Sequence, residues 1–369
     1  MNSLMNVSIN KFKNRLLVML LAGFTAFNMS CEKSEPIVPP VIVEPPSYLK
    51  ACDLSFLPEM RIDGVAFKNA EGQAEDPLTT LKKQGMNAVR LKLWNGETGL
   101  NTLESVSTFS DEIKSHDILT WFTVHYSDTW ADPGSQTKPS SWANASFEVL
   151  KDSIYQFTYK AALKLKPDYI QIGNEINQGL LWPEGHISNS FQMRALLAEG
   201  IRACRNASPD TKIMIHYAGF QYASVFYAAL QNLDYDIIAL SYYPVWHGKN
   251  MQDLENKMTE LKETYNKEVI IAETSYPFTF EWADWTNNVI GGNNQIIPEF
   301  PATPEGQKEF LTSLNDHIKQ ADGFGWCYWG AEWVASKGDQ ASNASSWENQ
   351  ALWDFDFKAL PAITAFKAD

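Results

Sequence analysis

From residue 50 onward, short apolar runs alternate with longer stretches in which apolar residues recur every three or four positions. The runs fall at 50–55, 87–93, 118–125, 168–173, 211–216, 236–241, 268–273 and 323–329, and each has the length of a strand. Asp236-Ile237-Ile238-Ala239-Leu240-Ser241 is apolar almost throughout, as a strand buried on both faces must be. Between the runs, helical periodicity appears near 76–84, 101–115, 143–165, 190–207, 221–231, 252–265 and 304–320. Eight such strand units over about 320 residues predict a (β/α)8 TIM barrel. A doubly wound open sheet is the rival, but no GxGxxG and no P-loop follows any of the strands.

The residues at the ends of these strands share a character. Arg90 and Trp94, His125 and Asp128, Asn174 and Glu175, His216, Tyr242 and Tyr243, Glu273, and Trp329 all lie at or just past an apolar run. In a barrel those C-terminal ends converge on one face, where active sites form. Two segments stand out: Tyr169-Ile170-Gln171-Ile172-Gly173-Asn174-Glu175 and Val269-Ile270-Ile271-Ala272-Glu273, each an apolar strand that delivers a carboxylate. Read alone, Glu175 is also an acceptable helix-start acid and Glu273 a loop acid. Together they form the pair that glycoside hydrolysis needs, one carboxyl kept protonated and the other kept charged. These two segments do not by themselves say which is which.

Composition narrows the ligand. Aromatic residues make up 13% of the chain, with 13 Trp, and several sit among polar residues in loops: Trp130, Trp142, Trp182, Trp246 and Trp333. Flat apolar faces beside hydrogen-bonding groups suit sugar rings. The net charge of −14 and the lack of a basic patch argue against a nucleic-acid partner and favour a neutral polysaccharide over a polyanion. Cys52, Cys204 and Cys327 have no metal-ligand spacing and are expected to be free buried thiols, with one disulfide among them as the alternative; the histidines form no zinc motif.

The N-terminus reads as a targeting segment. Lys11, Lys13 and Arg15 precede an apolar run at 16–27, and Cys31 follows, with Glu32-Lys33-Ser34-Glu35 after it. Residues 1–30 are therefore expected to be a lipoprotein signal peptide, with Cys31 as the lipidated residue. The Pro-rich stretch 31–49 would be an extended linker, and 50–369 a monomeric catalytic barrel. The expected location is the outer-membrane cell surface of a Gram-negative bacterium, anchored through lipid at Cys31. The acidic residues after the cysteine resemble the export signal of Bacteroidetes lipoproteins.

Longer motifs then carry a family resemblance. His125-Tyr126-Ser127-Asp128-Thr129-Trp130-Ala131-Asp132-Pro133-Gly134, Gln171-Ile172-Gly173-Asn174-Glu175, Leu181-Trp182-Pro183-Glu184-Gly185, Ser241-Tyr242-Tyr243-Pro244 with Trp246-His247-Gly248, and Glu273-Thr274-Ser275-Tyr276-Pro277 occur in that order. Together they resemble glycoside hydrolase family 53, the arabinogalactan endo-β-1,4-galactanases, over roughly residues 51 to 360. The resemblance implies a clan A retaining barrel acting on β-1,4-galactan, with Glu175 as acid/base and Glu273 as nucleophile. It implies that Asn174 bonds the sugar 2-hydroxyl and that Arg90 supports the nucleophile. His125, Asp128, Trp130, Tyr242, Tyr243, Trp246 and His247 would line the substrate, and the strand-end residues His216 and Trp329 join them as candidates. Another clan A β-glycanase, such as a mannanase or cellulase, and a non-catalytic glycan-binding lipoprotein are the alternatives.

The chain departs from the family pattern in three places. Thr123 stands where the family often has an acid. Tyr328-Trp329-Gly330-Ala331-Glu332-Trp333 replaces the usual Tyr-Trp-Glu-Pro-Ala-Trp. Some bacterial members bind calcium through an Asp-x-Asp-x-His-x-Asn loop, but Glu281-Trp282-Ala283-Asp284-Trp285-Thr286-Asn287-Asn288 keeps only Asp284 as an acid in register. No metal and no cofactor is the expectation.

Overall fold

The computed structural model describes residues 46–367, so the signal segment, Cys31 and nearly all of the Pro-rich linker lie outside the described residues. Eight parallel strands close into a barrel in sequence order. They are β1 (Leu49–Asp53), β2 (Ala88–Leu93), β3 (Leu119–Val124), β4 (Tyr169–Ile172), β5 (Lys212–Ala218), β6 (Ile237–Ser241), β7 (Glu268–Thr274) and β8 (Gly325–Trp329). The eight expected strands and seven expected helical stretches are all present. Two short helices, Leu57–Ile62 and Pro244–His247, add to them. Neither is long enough to show a helical period in sequence.

The strands are buried on both faces because two apolar layers meet at the barrel wall. Inside, Leu49, Ala88, Trp121, Met214, Ile270 and Cys327 belong to one packed cluster. Outside, strand residues such as Val89, Ile172 and Ile271 join a larger cluster with the surrounding helices. The helices start where side chains satisfy their free N–H groups: Thr102 caps Leu103–Ser115, Ser146 caps Phe147–Leu165 and Thr303 caps Pro304–Gln320. Cys52, Cys204 and Cys327 are free and buried, as expected. Among the described residues no helix is long and apolar enough to cross a membrane.

Two irregularities shape the C-terminal rim. The β6–β7 register shifts between Leu240 and Ser241, so that Ser241 pairs with Glu273. After β4 the chain turns sharply: Gly173 has φ +83°, and a Cβ there would come within 2.6 Å of the Ile176 side chain. Glu175 itself has φ 47°, a left-handed conformation that costs a non-glycine residue of order 1 kcal/mol or more. Such outliers cluster at functional sites.

Candidate active site

The rim surrounds a cleft of about 500 Å³ lined by both glutamates. Parallel strands bring their last residues to one level, which is why carboxylates 98 positions apart in sequence meet. An oxygen of Glu175, an oxygen of Glu273 and a ring nitrogen of His216 all lie within 4.8 Å of one another. That is well short of the roughly 6.5–9.5 Å between carboxyls in an inverting pair.

The two carboxyls have different partners. Glu273 is 7% exposed and is held by two donors: Arg90 Nη2 at 2.7 Å and the Tyr243 hydroxyl at 3.2 Å. Arg90 also contacts Asp53 through Nη1 at 2.8 Å and donates to Asn174 Oδ1 at 2.9 Å. Burial pushes the Glu273 pKa up, and the Arg90 guanidinium is the main opposing influence. Glu175, partly open to the cleft, accepts one bond, from Ser241 Oγ at 2.5 Å. Burial, followed by the charge of Glu273, pushes its carboxyl up to about 8. One carboxyl is thus clamped by a cation, while the other holds a proton near neutrality.

A hydrogen-bonded relay supports Glu175 from behind. His216 is fully buried, which holds its pKa well below the usual histidine value and keeps the ring neutral. Its Nδ1 accepts from the Gln171 amide at 2.9 Å and from the Glu175 backbone N–H at 3.3 Å. Nε2–H therefore donates to Ser241 Oγ, 2.9 Å away, and Ser241 donates onward to Glu175. Both ring nitrogens of His216 are thus engaged in the hydrogen-bond network that supports Glu175.

Arg90, His125, Trp130, Asn174, Tyr243, Trp246, His247 and Trp329 all line the cleft together with the glutamates. Three sequence candidates do not. Tyr242 is fully buried, and its hydroxyl donates to Gly248 O while its ring stacks on Phe310, behind the rim. The alternation of strand residues sends Tyr242 and Tyr243 to opposite faces. Asp128 accepts from the Ser140 N–H and hydroxyl and shapes a neighbouring surface hollow. His216 acts only through Ser241 and the β4 turn. Reading the strand ends missed Asp53, Lys92, Ser241 and Trp347, while Trp333, singled out among the loop tryptophans, does line the cleft. Asp53 and Ser241 terminate β1 and β6, so the same strand-end rule would have found them. Trp347 arrives from a long loop that carries no periodic signal.

The loop after β7 holds a second polar cluster. Glu348 Oε1 accepts from the Ala283 N–H at 2.8 Å, and Asp284 Oδ1 from the Thr286 N–H at 2.6 Å. Asp284 Oδ2, Asn288 Oδ1 and Glu348 Oε2 are buried without a hydrogen-bond partner. Unpaired hard oxygens of this kind fit a divalent cation such as calcium. The donor set is richer than the sequence suggested, because Glu348 lies 60 positions beyond Asn288 and comes from the loop after β8.

The model of glycosyl hydrolase family 53 matches residues 49–366. The chain belongs to that family. It is a glycoside hydrolase, in agreement with the resemblance read from its motifs. An arabinogalactan endo-β-1,4-galactanase of Cellvibrio japonicus is 35% identical over 346 residues, covering 88% of this chain and 91% of that protein. The solved family 53 catalytic domain of Ignisphaera aggregans superposes with a TM-score of 0.82 at 34% identity, covering 90% of this chain and 98% of that one. A structure described as one of two fungal β-1,4-galactanases gives a TM-score of 0.77 at 26% identity, over 87% of this chain and 99% of that one.

Proposed function

We propose that this glycoside hydrolase is a retaining endo-β-1,4-galactanase acting on galactan and arabinogalactan side chains of pectin. The observation that carries the mechanism is the pair of close carboxyls in opposite environments, Glu273 clamped by Arg90 and Glu175 pushed up to about 8. In the first step the Glu273 carboxylate attacks the anomeric carbon while Glu175 gives its proton to the departing sugar oxygen. In the second, Glu175 takes a proton from water, and the resulting hydroxide breaks the glycosyl–Glu273 ester. Forming the ester removes the Glu273 charge, so Glu175 becomes more acidic just when it must act as a base. Arg90 keeps the nucleophile ionised and aimed. The Asn174 amide, held by Ala131 O at 2.8 Å, retains a second N–H for the sugar 2-hydroxyl. Galactan as substrate is supported by the galactanase relatives and by the aromatic cleft wall. Both carboxyls are in place, which disfavours a purely glycan-binding role.

A calcium ion held by Asp284, Asn288 and Glu348 would pin the β7 and β8 loops together and takes no part in the reaction. Export as a surface lipoprotein through Cys31 rests on the N-terminal sequence pattern and is tested by lipid labelling of a Cys31→Ala variant. The decisive experiment is product analysis on unbranched β-1,4-galactan. Wild type should release oligosaccharides whose first-formed anomer by NMR is β, and Glu175→Gln and Glu273→Gln should each lose at least about 10²-fold in rate. Preference for mannan or cellulose, or an initial α-anomer, would refute the proposal.

A further inference from the structure

We propose that Lys92 is a specificity-determining residue: its ammonium donates to free hydroxyls of the second sugar on the glycone side of the scissile bond, selecting an undecorated unit there. The inference rests on the galactanase reading. Lys92 lies two positions beyond Arg90 on β2, so both side chains face the barrel mouth. It is 2% exposed and forms part of the cleft wall. Its Nζ sits 3.5 Å from the centroid of Phe56 and 4.0 Å from that of Trp130, with Trp94 at 5.7 Å. Its backbone N–H donates to Ser55 Oγ at 2.9 Å, but among the described residues the ammonium has neither a hydrogen-bond nor an ion-pair partner. Rings stabilise a cation but accept none of its N–H donors in the ordinary way. An ammonium carries three such donors, and buried donors normally have acceptors. Here only something in the cleft can supply them.

Charge balance argues for a neutral acceptor. Arg90 is matched by Asp53 and Glu273. Burial pulls Lys92 down to about 8, while Asp53 and then Glu332 support its charge. The cleft floor thus holds no surplus of positive charge to attract a uronate, and sugar hydroxyl oxygens are the fitting acceptors. Position supplies the side. Glu175 and its Ser241–His216 support come from β4, β5 and β6, and a leaving oxygen must lie on that side to receive the Glu175 proton. Lys92 and its rings come from β2 and the segments following β1, β2 and β3, across the cleft, where the retained sugars run. The Phe56 ring stacks on Trp333 at 3.9 Å, so packed rings wall the box, and a substituent on the hydroxyl that enters it would meet them.

The test measures binding of β-1,4-galactotetraose to Glu175→Gln by calorimetry, with and without Lys92→Met, which keeps the apolar stem and removes the donors. The expected result is a rise in Kd of about tenfold to a hundredfold, the loss typical of a charged hydrogen bond. In the otherwise wild-type enzyme, Lys92→Met should lower kcat/KM more than kcat, since the contact is made before and during reaction. Equal affinity with and without the lysine would overturn the inference. Should Lys92→Met fail to fold, the sugar carries the test. Tetraoses deoxygenated in turn at the hydroxyls of that second unit should bind Glu175→Gln at least tenfold more weakly at one position. Unchanged binding by all of them would overturn the assignment. Absence of both galactan cleavage by wild type and tetraose binding would refute the galactanase reading itself.

Discussion

Replacing the proposed nucleophile should change the acidity of its partner by a predictable amount. In Glu273→Gln the negative charge whose oxygen lies within 4.8 Å of a Glu175 oxygen is gone. At an effective dielectric constant of about 20, two unit charges 4.8 Å apart interact by about 3.5 kcal/mol, equivalent to about 2.5 pH units before solvent in the open cleft screens them. Arg90 then faces the cleft with one fewer carboxylate, but solvent and Asp53 screen it, so a fall of about one to two pH units from about 8 is expected. Burial is the larger cause of the elevation and survives the substitution. The Glu175 pKa should therefore remain above the ordinary carboxyl range near 4.3. The assay is a ¹³C NMR titration of protein labelled at glutamate side-chain carboxyls, with Glu175 assigned by its loss in the Glu175→Gln/Glu273→Gln double variant. An unchanged Glu175 pKa would show that the two charges are not coupled and would refute the proposed switch from acid to base. A fall to the ordinary range would refute burial as the main cause.

Three further outcomes follow from the same geometry. Since Glu175 must carry its proton in the first step, kcat/KM on galactan should decline as pH rises through about 8, and an alkaline limb near 5 would contradict that role. Arg90→Met should lose activity and about 3–5 kcal/mol of stability in urea unfolding, because it strands the buried carboxylates of Asp53 and Glu273; near-wild-type stability would show that the clamp is dispensable. Calcium should raise the thermal midpoint and a chelator lower it, and Asp284→Asn should blunt both shifts. No response in the wild type would refute calcium binding at these oxygens.

The strands, their order and the paired carboxylates were legible in the chain because all three depend on local pattern. An apolar run buried on both faces declares itself as a parallel strand, and in a barrel every strand end reaches the same rim, so Glu175 and Glu273 could be placed together without coordinates. Motif order then named the family. Tertiary structure decided how each rim residue is used. Neighbouring residues at the end of β6 point to opposite faces, so Tyr243 meets the nucleophile while Tyr242 donates to Gly248 O behind the rim. The rise of Glu175 to about 8 depends on burial and on a charge 98 positions away, neither of which is written in its own segment. Lys92 in its ring box, and Glu348 beside Asp284, are contacts between segments that follow neighbouring strands but lie tens of positions apart in sequence. The chain determined which groups reach the cleft; only packing determined which of them are left with a proton, a cation or an unmet hydrogen bond, because those states are set by neighbours that sequence distance conceals.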